Sequence, residues 1–223
     1  MVCRRHAIEA ALRIGTILAF PSLRVMALEQ APYPVTRAII GRSREAELAA
    51  CHRYEAFSTR AKVDGYPGIA YLFTALATAE SIHGQNFEKI LAGLGVELAP
   101  VAAREIQIGT TQQNLIKAAA DELDSVDRFY PDILRQLKPE GFQAALTFTT
   151  YAWETEKQHL AILKSIKRWT PKHFEAVAGK IEKETGQYFV CHVCGATLVR
   201  MPKDKCPVCK SPADNLRKIE PPI

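Results

Sequence analysis

Two short motifs in this 223-residue chain pair an acid with a histidine three positions later: Glu80-Ser-Ile-His83 and Glu156-Lys-Gln-His159. On a helix that spacing stacks the two side chains on one face, so a carboxylate and an imidazole can reach the same point. Each pair interrupts an apolar stripe. The first sits among Ile69, Leu72, Phe73, Leu76, Phe87, Ile90 and Leu91, the second among Phe142, Ala145, Leu146, Ala152, Trp153, Leu160 and Leu163. A carboxylate turned toward an apolar core is costly unless it is paired or bound to metal. Two further acids stand alone on similar faces. Glu47 keeps company with Ile40, Cys51, Tyr54 and Ala61; Glu122 with Leu115, Ala118, Ala119, Val126 and Ile133. One such pair would mean little, because Glu-x-x-His is common on solvated helix faces. Two pairs and two single acids, each in an apolar stripe, point to a two-metal site. Four carboxylates with two imidazoles suit iron or manganese better than copper or structural zinc.

A second constellation lies near the C-terminus. Cys191-His-Val-Cys194 and Cys206-Pro-Val-Cys209 are separated by eleven residues. Each knuckle puts two thiolates on one ion, and two knuckles complete a tetrahedron. Iron and zinc share this spacing, so both remain open. His192 reads as an exposed side chain, not a fifth ligand. Cys3 and Cys51 are isolated.

The elements that must position these groups can be read from breakers and periodicity. A first helix is expected from Val35 to Val63, stopped by Asp64-Gly65. A second begins at Pro67, a residue suited to a first helical turn, and ends at Gly93-Leu94-Gly95. A third spans Thr111 to Leu137, with Pro131 expected to kink it. A fourth runs from Glu140 to Arg168. Short links within each pair and a long link between pairs give an all-α, ferritin-like four-helix bundle with one long crossover. The texture changes after Pro171. The reading is an N-terminal extension over 1–34, the bundle over 35–170, a linker over 171–186, and a four-cysteine β module over 187–223. So few residues cannot fold on an apolar core alone, and the cysteines must staple them.

Composition bounds the partners. The chain is 48% hydrophobic with a formal charge of +5 spread along its length. It has no basic run with interleaved aromatics, so nucleic acid is not indicated. It also lacks the roughly 18 consecutive apolar residues of a spanning helix. Arg4-Arg5 followed by Ile14–Phe20 and Val25-Met26-Ala27 fits an export signal for a folded protein; Glu9 and Arg13 favour a plain amphipathic helix instead. The expected compartment is cytoplasmic, or periplasmic if residues 1–27 direct export.

Taken together, these motifs resemble the rubrerythrin family from about Val35 to Leu216. Glu47-Leu-Ala-Ala-Cys-His-Arg-Tyr54 looks like its first-helix motif, and the two Glu-x-x-His pairs like its paired motifs. Asn114-Leu-Ile, Glu122 and Tyr130-Pro131 look like its third helix, and the knuckles like its rubredoxin domain. The resemblance implies a non-haem di-iron peroxidase with two Fe ions in the bundle and one Fe, or Zn, on the cysteines. It implies hydrogen peroxide or oxygen as substrate, a redox donor protein or reductase, and a homodimer whose communicating metal sites lie on different subunits. It also implies that Tyr54 and Tyr130 hydrogen-bond the ligand carboxylates. Two departures stand out. The family carries a further ligating Glu three residues after the first acid of its third helix, where this chain has Ser125. The aromatic expected after Cys194-Gly195 is Ala196. Without the extra acid, His83 should stay bound in every redox state.

The expected chemistry is reduction of peroxide, since two ferrous ions supply the two electrons that cleave an O–O bond and Glu80 and Glu156 would bridge them. The alternatives are a ferroxidase or iron-handling protein, which Ser125 favours, and a non-catalytic metal-binding protein with a zinc ribbon.

Overall fold

The computed structural model describes residues 31–100, 105–163, 174, 178–179, 181–183 and 186–222. The expected export signal lies outside these residues. Helices α1 (Pro34–Val63) and α2 (Pro67–Gly93) form a tight antiparallel pair. After the long connection come α3 (Thr111–Asp124), a π-helical turn (Ser125–Phe129), α4 (Tyr130–Leu137) and α5 (Gln143–Leu163). With α3 to α4 counted as one bent rod, this is the four-helix bundle with a single long crossover. Among the described residues, no helix is long and apolar enough to cross a membrane.

Three helix starts are satisfied by carboxylates from elsewhere in the chain. Glu140 accepts from the backbone N–H groups of Val35 (2.9 Å) and Thr36 (2.7 Å) at the head of α1. Glu182 accepts from Gly68 (2.7 Å) and Ile69 (3.0 Å) at the head of α2. Asp64 accepts from the N–H and hydroxyl of Thr111 at the head of α3, where Thr110 and Gln113 also form a capping box. Helix starts present unpaired N–H groups and partial positive charge, so a carboxylate there both caps and ties two segments. Glu140 thus caps α1, and the last helix begins at Gln143, three residues later than expected. Within the expected linker, Phe174 and Ala178 are buried, and Phe174 meets Tyr66 edge-on at 5.4 Å.

The third rod is not simply kinked at Pro131. Proline has no N–H to offer the turn before it, and the chain widens into a π-turn just ahead of it. The extra residue changes the phase. Eight residues carry a straight α-helix through about 2.2 turns, which would rotate Tyr130 off the face of Glu122. The π-turn absorbs the excess, and both side chains are buried in the bundle.

The core has two apolar zones flanking the acids. One contains Tyr54, Phe57, Phe73, Leu76 and Leu115; the other Ile40, Phe87, Tyr130, Leu137 and Ala145. Close approach of α1 and α2 depends on Gly84, where a Cβ would stand 2.7 Å from Leu48. The C-terminal module is a three-stranded antiparallel sheet in the order β2-β1-β3: β1 (Phe189–Cys191), β2 (Thr197–Leu198) and β3 (Leu216–Lys218). It docks on the bundle of its own chain. The Tyr71 hydroxyl donates to the Ile219 carbonyl (2.5 Å) and accepts from Tyr188 N–H (3.1 Å).

Candidate metal centres

The bundle brings all six expected acids and histidines into two overlapping groups. One is Glu47, Glu80, His83 and Glu156; the other is Glu80, Glu122, Glu156 and His159. Within each group the ligand atoms lie within 4.8 Å of one another, and every residue is buried. The histidines define the two halves. His83 Nδ1 stands 3.0 Å from Glu80 Oε2, 3.4 Å from Glu47 Oε2 and 3.4 Å from Glu156 Oε1. His159 Nδ1 stands 3.3 Å from Glu80 Oε1, 3.4 Å from Glu156 Oε2 and 3.8 Å from Glu122 Oε2. Glu80 and Glu156 therefore each turn one oxygen toward each half, as bridging carboxylates would. Glu47 belongs to the His83 half and Glu122 to the His159 half.

Burial and mutual repulsion push several of these groups away from their ordinary pKa values. Burial works against charge on His83, yet the carboxylates of Glu156, Glu47 and Glu80 push its pKa well up. His159 is likewise raised against burial by Glu122, Glu156 and Glu80. Burial raises Glu47 to about 7, and raises Glu156 strongly with help from the charges of Glu122 and Glu80. Burial works against charge on Glu80, yet the neighbouring imidazoles of His159 and His83 outweigh it and lower its pKa. Even so, the protein leaves buried polar atoms without hydrogen-bond partners, among them His159 Nδ1 and Glu122 Oε2. Buried orphans of this kind are rare unless something else satisfies them. Both face the space between the carboxylates, so this donor set fits a pair of divalent ions.

Tyr54 and Tyr130 are fully buried and do meet ligand acids, but crosswise. Tyr54, on the same helix as Glu47, donates to Glu122; Tyr130, on the rod of Glu122, donates to Glu47. Burial first, and the nearby carboxylates second, raise both phenols well above the usual range, so each keeps its proton. A cavity of about 290 Å³ leads in between α1 and α3, lined by Glu47, Arg53, Tyr54, Lys117, Glu122 and Ser125 among others. Ser125, the first residue of the π-turn, is thus part of the wall of the access route.

In the C-terminal module, Cys191 Sγ lies 3.7 Å from Cys209 Sγ, and Cys194 Sγ 3.6 Å from Cys206 Sγ. All four sulfurs lie within 4.8 Å of one another. A tetrahedron with arms of about 2.3 Å has edges of about 3.8 Å, so the cluster fits a tetrathiolate ion. Without one the thiols share protons: a hydrogen bond with Cys194 holds Cys191 down at about 4 and pushes Cys194 up, while burial raises Cys206 to about 11. His192 is exposed, as expected.

The two centres meet. The segment that follows the first knuckle reaches the outer nitrogens of both histidines. Gly195, at φ +81°, comes so close that a Cβ there would sit 2.4 Å from His83 Nε2. Thr197 Oγ1 lies 3.1 Å from His159 Nε2. Asn86 donates to the Val193 carbonyl (2.9 Å), Thr155 to that of Cys194 (3.3 Å), and Gln158 accepts from Thr197 N–H (3.1 Å). These contacts are made within one chain, whereas the resemblance implies that the communicating sites lie on different subunits. Sequence reasoning did not find Thr197, Thr155, Gln158 or Asn86. Thr155 precedes the second Glu-x-x-His motif and Gln158 lies within it, and that position was their only signal.

Comparison with known proteins agrees with this geometry. A family profile described as Rubrerythrin matches residues 38–167. Rubrerythrin-1 of Clostridium acetobutylicum is 32% identical over 174 residues, covering 74% of this chain and 85% of that protein. Nigerythrin of Nitratidesulfovibrio vulgaris is 30% identical, covering 75% and 78% respectively. A mixed-valence nigerythrin structure shares the fold at a TM-score of 0.70 and 22% identity, covering 95% of this chain and 100% of that one. The bundle alone is similar to a Desulfovibrio desulfuricans bacterioferritin, at a TM-score of 0.58 and 19% identity over 67% of this chain and 85% of that one. The chain belongs to the rubrerythrin family of di-iron oxidoreductases, which combine a di-iron carboxylate site with a four-cysteine rubredoxin-like site.

Proposed function

We propose that this protein reduces hydrogen peroxide to water, drawing electrons through the four-cysteine site. Glu47, Glu80, His83, Glu122, Glu156 and His159 would hold the iron pair, and Cys191, Cys194, Cys206 and Cys209 a single iron. The observation that carries the reading is the placement of Gly195 and Thr197, just past the first cysteine knuckle, directly on His83 and His159. A one-electron module pressed against both histidines of a two-metal site serves repeated re-reduction, which iron storage does not need. The pair supplies two electrons when bound, and peroxide takes up two electrons and two protons to give two waters. The chain's own part is to hold and shield. Tyr54 and Tyr130 orient the terminal carboxylates, the apolar zones exclude bulk water, and the cavity beside Ser125 admits a small oxidant.

A second reading is ferroxidase activity. Ser125 favours it, because a hydroxyl replaces a seventh ligand on the cavity wall. The test is a single turnover of anaerobically reduced protein with limiting hydrogen peroxide or limiting oxygen, followed by absorbance. Peroxidase function predicts that peroxide oxidises the protein faster than oxygen does, and that the red ferric tetrathiolate colour follows oxidation of the bundle. Oxidation by oxygen alone, with added ferrous iron consumed, supports the second reading. A colourless module after oxidation would mean zinc and would contradict the electron relay.

A further inference from the structure

The outer nitrogens of the two histidines are treated differently by the knuckle. His159 is wholly buried, its Nδ1 faces Glu80, Glu156 and Glu122, and its Nε2 faces Thr197 Oγ1 at 3.1 Å. The same hydroxyl is 3.2 Å from the Gly195 carbonyl. A carbonyl oxygen only accepts, so the Thr197 hydroxyl donates to Gly195 and turns a lone pair toward the ring. The ring must then donate from Nε2, which leaves Nδ1 as the lone-pair nitrogen, on the carboxylate side. Thr197 is itself 3% exposed, and its backbone is held by Gln158 and by the pairing of Val190 with Thr197. His83 has no such partner among the described residues. Its Nε2 is a buried atom without a hydrogen-bond partner, set against the bare backbone of Gly195.

We infer that Thr197 is a positioning residue of the di-iron centre, delivered by the rubredoxin-like module. It locks His159 in the metal-binding tautomer, so that the ion of the His159 half is held more tightly than that of the His83 half. The inference rests on the di-iron assignment and is independent of which oxidant the protein uses. Partners that orient a ligating histidine typically change metal affinity by about 10–100-fold.

The test uses the full-length protein loaded anaerobically with ferrous iron and challenged with a chromogenic ferrous chelator. Wild type should release its two bundle ions in two phases. Thr197→Val, which keeps shape and backbone but loses the hydroxyl, should accelerate the slow phase by about tenfold or more while leaving the fast phase and the tetrathiolate absorbance unchanged. Thr197→Ser should restore the slow phase. Loss of docking alone would accelerate both phases together, and any result other than selective, serine-rescued acceleration of the slow phase overturns the inference. Wild-type protein that fails to hold a pair of ions would overturn the di-iron assignment itself, a result distinct from an unchanged slow phase.

Discussion

The bundle surrounds its six candidate ligands with Tyr54, Phe57, Phe73, Leu76, Phe87 and Tyr130, all essentially without solvent exposure. The four-cysteine module has Cys191, Cys194, Ala196, Cys206 and Leu216 as its buried cluster, and three of those five are themselves ligands. In the first region the fold pre-exists the metal, and the acids impose a cost that protons or cations relieve. In the second the ligands make up most of the buried cluster, so a bound ion would serve as its core. Metal chemistry is thus hosted by a scaffold in one half of the chain and is itself the scaffold in the other, and removing a ligand should have opposite structural consequences in the two.

The largest effect should come from Cys194→Ser. Structural metal energy is folding energy in a module this small. The variant should lose the module's ion and expose residues 187–223 to protease, while far-UV circular dichroism shows the bundle helices unchanged. Retention of the ion and of protease resistance would erase the contrast.

Glu156→Ala should act the other way. The bundle should lose at least one of its two ions but keep its helices. The metal-free variant should melt no lower than metal-free wild type, because burial and the charges of Glu122 and Glu80 already disfavour an ionised Glu156. Calorimetry of both apo-proteins, with metal analysis, checks this; helix loss in the variant would show that the carboxylates are structural.

Tyr54→Phe and Tyr130→Phe sharpen the comparison within the bundle. Each removes one hydrogen bond to a terminal carboxylate, so each should weaken metal retention by about tenfold without altering the tetrathiolate spectrum. Since Tyr54 serves Glu122 and Tyr130 serves Glu47, the two variants should affect different halves of the site, which chelator release can resolve.

The smallest effect belongs to Asp64. Hydrogen bonds from Arg60 and Thr111 lower its pKa to about 2 against an ordinary 3.8. A depressed acid stabilises the fold above its unfolded pKa, and that contribution is lost as pH falls through about 2. Asp64→Ala should therefore cost about 1 kcal/mol at neutral pH, in line with the loss of other side-chain helix caps. Its deficit relative to wild type should shrink between pH 4 and about 2, as read by urea unfolding at each pH.

The ligands were legible because helices impose a period: an acid and a histidine three apart in an apolar stripe have few other meanings. The cysteine knuckles were legible for a similar reason. What escaped was non-local. Glu140 and Glu182 cap helices more than 100 residues away in sequence, and nothing in their neighbourhoods marks them. The crosswise pairing of Tyr54 with Glu122 and Tyr130 with Glu47 depends on how two rods pack. The π-turn that aligns Tyr130 was not legible either, because a proline in a helical pattern signals a kink more directly than a widened turn. Thr197 belongs to no metal motif and acquires meaning only when the module is docked.

Mössbauer spectroscopy with iron quantitation, on protein loaded and kept without oxygen and then given one equivalent of hydrogen peroxide, tests the central claim most directly. The account predicts a ferrous pair in oxygen and nitrogen coordination beside a single tetrathiolate iron. The pair should be converted by peroxide to a spin-coupled diferric centre. A lone uncoupled iron in the bundle, or a ferrous pair that peroxide leaves unchanged, would contradict it.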